Sequence, residues 1–98
     1  MMLQDRVARL CDVVPGMTRV PALLFIALWD ARGSLLPYER LAERASGIGA
    51  DSMSDMALQS SVKRLRQLIR ANALPLKIEN VWAVGYRMTR LDPAWTWE

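Results

Sequence analysis

The sequence predicts a mainly α-helical α+β fold that ends in a small β-hairpin. Three observations predict it. Four stretches before Pro75 carry apolar residues at helical spacing or on nearly every side. An alternating run follows Pro75, then a turn containing Gly85 and a second short run. The chain is 98 residues long and 52% apolar, enough for one compact core and too little for a second. The expected organisation is a single domain over 1–98. It comprises an N-terminal amphipathic helix over 1–16, a core over 17–90 and a tail over 91–98.

Met1 to Val14 puts Leu3, Val7, Leu10, Cys11 and Val14 on one side of a helix, with Asp5, Arg6, Arg9 and Asp12 on the other. Pro15-Gly16 stops it. Its apolar side packs on the core or meets a second copy of the chain. Thr18 then stands at an N-cap position, and Pro21 is tolerated in the first turn that follows. Leu23, Leu24, Phe25, Ile26, Leu28 and Trp29 make this second helix apolar almost all round, so it is the central one, with Trp29 in the core. Gly33 can take the left-handed conformation just past its end.

Ser34, Leu35 and Leu36 form an extended link, and Pro37 sits at a helix start. The third helix, Tyr38 to Ala45, turns Leu41, Ala42 and Ala45 inward and Glu39, Arg40, Glu43 and Arg44 to water. Ser46 to Asp51 is a loop with Gly47 and Gly49 as hinges. A fourth helix runs from Ser54 to Arg70. Ser52 and Ser54 are both acceptable starts, and Asp51 and Asp55 lie near the positive end of its dipole. Leu74-Pro75 prevents it from continuing. Leu76 to Trp82 reads as a strand, with Leu76, Ile78 and Asn80 on one side and Lys77, Glu79 and Val81 on the other. Ala83-Val84-Gly85 turns, and Tyr86 to Thr89 returns. Trp95 and Trp97 in the tail cap the core or meet a partner.

Composition removes several function classes. Without histidine there is no Ser-His or Cys-His nucleophile pair and no imidazole metal ligand. The single cysteine, Cys11, excludes an internal disulfide framework and fits a reducing cytoplasm; its apolar neighbours make it a small core residue. Gly47 and Gly49 lack the Lys and Ser/Thr of a phosphate loop. No apolar run reaches the roughly 20 residues that cross a bilayer, and the start does not read as a signal peptide. The expectation is no catalytic residue, no metal, no cofactor and no membrane partner.

What remains is charge. In the fourth helix Leu58, Val62, Leu65 and Ile69 fall in one stripe with Leu68 at its edge, while Gln59, Lys63, Arg66 and Arg70 stack away from it. Ser60, Arg64 and Gln67 widen that polar side. From Gln59 to Arg90 seven cations face the single acid Glu79, a net +6, whereas the rest of the chain is −3. A basic helix face is often only a solvated one. Gathered in one third of a small chain, however, the charge suits a phosphate-bearing, grooved partner.

Two runs carry a resemblance. Val62-Lys63-Arg64-Leu65-Arg66 and, beyond a proline-containing link, Val81-Trp82-Ala83-Val84-Gly85-Tyr86-Arg87 resemble the recognition helix and hairpin of OmpR/PhoB-type winged-helix DNA-binding domains. The likeness covers roughly Thr18 to Met88, and the two motifs together are specific. It implies a winged helix-turn-helix, with a recognition helix of about 54–71 in the major groove and a wing of about 76–89 on the minor groove or backbone. Carried over position by position, Gln59 and Arg64 are expected at base edges, where Gln pairs with adenine and Arg with guanine. Ser60, Ser61, Lys63 and Arg66 are expected at phosphates or in mixed contacts. Arg87 and Tyr86 fall on the wing, Tyr86 being equally a core residue. Trp82 occupies the wing position that is usually Arg, or Trp in some members. Arg70 and Lys77 join the set on charge and position.

This chain departs from that pattern at Ala83, which replaces the first wing glycine, and before Thr18, where a helix stands in place of an N-terminal sheet. It has no room for a receiver domain, so a stand-alone reader is expected. The expected partners are double-stranded DNA, a second copy of the chain, and RNA polymerase through the loop from Ser46 to Met53. The alternative is a winged-helix protein-interaction module, docking on polymerase or a regulator through the N-terminal helix and the Trp95/Trp97 tail without reading DNA itself.

Overall fold

The computed structural model describes residues 2–46 and 53–98. In chain order it contains α1 (Leu3–Val13), α2 (Arg19–Asp30), β1 (Leu36–Pro37), α3 (Tyr38–Ser46), α4 (Asp55–Ala71), β2 (Leu76–Val81) and β3 (Gly85–Arg90). The four helices and both hairpin strands stand where spacing put them, within a residue or two at their ends. Gly47, Gly49, Asp51 and Ser52, assigned above to a loop and a helix start, lie outside the described residues.

α2 is the central helix because every residue from Pro21 to Leu28 is buried. α1, α3, α4 and β3 all pack against it. The stripe on α4 is the largest contribution from another helix: Leu58, Val62, Leu65, Leu68 and Ile69 are all buried. Each such side chain stabilises the fold by about 1.5–3 kcal/mol. α1 buries Leu10 and Val14, while Val7 and Cys11 pack partly covered against the core. Leu3, expected on the same side, is exposed because the stripe there runs past the edge of the core.

The tail is part of that core. Trp97 is only 2% exposed and meets Phe25 and Trp29 edge-on, at 6.0 and 6.1 Å between ring centroids. The Arg9 guanidinium donates to the Trp97 carbonyl at 3.1 Å. Arg6 pairs with Asp30 at 2.8 Å and with Glu98 at 3.4 Å. Trp29, expected as a core residue, is half-buried instead, with its indole N–H donating to Glu98 at 2.9 Å. The two chain ends are thus fastened to each other over the end of α2.

Helix ends follow local chemistry with one exception. The Ser54 hydroxyl caps α4 by accepting from the Ala57 N–H. Thr18 has the extended backbone of a cap, but its hydroxyl makes no capping bond. α4 closes with the Ala73 N–H on the Arg70 carbonyl and the Leu74 N–H on the Ile69 carbonyl. That is a Schellman ending with Ala73, at φ 51°, where glycine is usual. The Asn72 amide also donates to the Pro15 carbonyl at 3.1 Å, tying the end of α4 to the α1–α2 link.

Two readings of the hairpin region need correction. The extended link is a third strand: β1 pairs antiparallel with β3, Leu36 opposite Tyr86 and Pro37 opposite Gly85, giving the order β1-β3-β2. A Cβ on Gly85 would sit 1.9 Å from the Leu36 carbonyl oxygen, so the approach requires glycine. The turn also starts one residue early. Trp82-Ala83-Val84 forms it, and Gly85 already belongs to β3, facing Val81.

Candidate nucleic-acid interface

Burial of the α4 stripe decides what the helix shows to solvent. Gln59, Ser60, Lys63, Arg64 and Arg70 are exposed, and Ser61 is partly so. Among the described residues Lys63, Arg64 and Arg70 take part in no ion pair. Their charge is uncompensated within the described fold.

Arg66 behaves differently. At about 100° per residue it lies about 40° from buried Val62, on the flank beside the hairpin. Its guanidinium donates to the Ile78 carbonyl at 3.0 Å and rests 5.9 Å from the Tyr86 ring centroid. Arg66, expected at a phosphate or in a mixed contact, thus also joins α4 to β2. Tyr86 is a core residue, 4% exposed, and burial pushes its phenol above the ordinary range. It stands edge-on to Tyr38 at 5.3 Å, and the Tyr38 hydroxyl donates to the Asn80 side-chain oxygen at 2.6 Å.

On the hairpin, Arg87 is opposite Glu79 in the register and pairs with it at 3.1 Å. The hydrogen bond from Arg87 holds the Glu79 carboxyl below its usual range. Arg87 lies on the hairpin as expected, with its charge matched by Glu79. Lys77, opposite Thr89, is exposed and makes no ion pair among the described residues. Trp82 projects from the turn with 85% of its surface exposed.

Helix and hairpin tip enclose a cleft of about 290 Å³ lined by Tyr38, Asp55, Leu58, Gln59, Asn80, Trp82 and Ala83. Sequence reasoning missed Tyr38 and Asn80 in this role. The available signal was Asn80 itself, a polar residue in phase with apolar Leu76 and Ile78. A larger groove of about 950 Å³ lies at the C-terminal end of α2, but there Arg6 already pairs with both Asp30 and Glu98.

Among the described residues no cluster of acids or cysteine could hold a metal ion, and no helix is long and apolar enough to cross a membrane. No curated protein sequence matches the chain. A family model described as "Transcriptional regulatory protein, C terminal" matches residues 17–88. That span holds α2, the α3–α4 pair and most of the three-stranded sheet. The chain belongs to this family of OmpR/PhoB-type DNA-binding regulatory domains, and its fold is a winged helix-turn-helix.

Proposed function

We propose that this chain reads specific sequences in double-stranded DNA to regulate transcription, with α4 in the major groove and the β2–β3 wing on the minor groove or backbone. One observation carries the reading. The outer face of α4 holds Lys63, Arg64 and Arg70 free of internal ion pairs among the described residues, while five buried apolar residues anchor its other face.

In this reading Gln59 and Arg64 meet base edges, and Ser60, Ser61 and Lys63 meet phosphates. Arg70 and Lys77 take flanking phosphates. Arg66 sets the position of the wing relative to the helix, and Trp82 carries the wing tip. The chain works in the cytoplasm as one domain, 1–98, in which α1 and the tail brace the reading core. A single recognition helix supplies limited specificity, so two copies bind adjacent half-sites, with RNA polymerase as a further partner. The protein-docking alternative draws on exposed Leu3 and Val13 of α1, on Met2 just before it and on partly covered Trp95, while Trp97 is folded into the core.

The test is selection of bound duplexes from a random pool, followed by salt titration of the winner. The expected result is a defined motif, repeated at half-site spacing, whose log–log salt slope grows by about −0.9 per phosphate contacted. Failure to bind any duplex at low salt overturns the reading.

A further inference from the structure

We propose that the wing engages DNA through apolar and stacking contact of Trp82 with sugar walls and base edges of the minor groove, so that part of the affinity is insensitive to salt. The inference rests on the reading of α4 given above.

Three features of the tip support it. The turn Trp82-Ala83-Val84 contains no charge, and Trp82 and Val84 are 85% and 45% exposed. The other three tryptophans do not share that exposure: Trp97 is buried, and Trp29 and Trp95 are partly covered. Trp82 is therefore the one tryptophan whose large apolar surface is left in water.

The tip is also held in place. The Val84 N–H donates to the Val81 carbonyl at 3.0 Å, and the Tyr38 N–H donates to the Val84 carbonyl at 3.2 Å. β1 closes over Gly85 just behind. An aromatic side chain on so braced a turn loses little backbone freedom when it binds.

Finally, the tip is continuous with the reading face but unsuited to phosphate. Trp82 and Gln59 line the same cleft, so a duplex seated on α4 brings its adjoining groove to the indole. The charged residue lining that cleft is Asp55, which repels phosphate, and on the hairpin strands Arg87 and Glu79 are paired with each other. A minor-groove wall offers deoxyribose carbons and base edges, which an indole can cover where a cation would seek phosphate.

The experiment uses the duplex recovered by selection and measures affinity across a salt series for the wild type, Trp82→Ala, Trp82→Phe and Trp82→Arg. Thermal melts confirm that each variant folds, as expected for so exposed a position. Trp82→Ala should bind about tenfold more weakly at every salt concentration, with the slope unchanged. Trp82→Phe should recover most of that loss. Trp82→Arg should recover it only at low salt, with a slope steeper by about 0.9. Acrylamide should quench the exposed indole emission in the free wild type and lose that access when duplex is added. Wild-type affinity in Trp82→Ala, or a flatter slope, overturns the inference and leaves the indole to a protein partner. If the wild type itself binds no duplex, the α4 reading falls first and takes this one with it.

Discussion

α1 and α4 look alike as sequences and are used differently. Each has an apolar stripe with arginines opposite it. In α1 those arginines turn to internal partners: Arg6 reaches Asp30 and Glu98, and Arg9 reaches the Trp97 carbonyl. In α4, Lys63, Arg64 and Arg70 stay outward and meet no acid among the described residues. The two acids beside α1 come from the end of α2 and from the last residue, distant in sequence. Cation count along a helix is therefore a poor guide to a binding face. What separates the two is whether the fold delivers carboxylates to the same place, because a guanidinium already matched inside gains less from a phosphate.

Three measurements would break or sharpen this contrast, and the largest effect belongs to the α1 side. Trp97→Ala removes the indole on which both chain ends close, and it should lower unfolding free energy by about 3–5 kcal/mol in a urea titration. The slope of DNA affinity against salt should not change, since no α4 cation is involved.

The second measurement pairs one arginine from each helix. Arg64→Ala should cost about 1–3 kcal/mol of DNA binding, relax preference at one base pair and leave the melting temperature alone. Arg6→Ala should do the reverse, destabilising the fold by about 1 kcal/mol, a figure kept low because Asp30 is partly exposed, with binding intact. If Arg6→Ala weakened binding as much as Arg64→Ala, the distinction between the helices would be lost.

The smallest effect is a pH dependence. The hydrogen bond from Arg6, more than its charge, holds the Asp30 carboxyl below the usual range. A folded pKa below the unfolded one gives stability that is complete above about pH 4 and disappears as pH falls through the folded value. Melting temperature should therefore drop on acidification in the wild type, and Arg6→Ala should flatten the part due to Asp30.

The sequence carried the helices because their periodicities are local. It also carried the five buried residues of α4 and the Ser54 cap. It did not carry β1, since two residues, one of them proline, make no pattern of their own. β1 exists because Gly85, far along the chain, lets the backbone approach. The candidate site was legible in the same uneven way. Residues facing straight out of α4 were read correctly as exposed. The internal partners of Arg66 and Arg87 were not legible, because a long side chain on the flank of a helix or strand takes whichever acceptor the tertiary fold places within reach. For Arg66 that acceptor was the Ile78 carbonyl, and for Arg87 the Glu79 carboxylate. Trp82 was assigned to the strand, and its true place in the turn depended on where the chain reverses, which Ala83 obscured by taking a φ of 65° without being glycine.

Gly85 links the two halves of the proposed grip. Because β1 lies against it and leads without a break into α3, the hairpin is joined to that helix through paired backbone. On the reading proposed above, helix and wing meet the duplex together, which favours stretches whose neighbouring grooves already lie at the matching separation or bend to it at low cost, so that DNA stiffness becomes a second criterion of choice beside base identity.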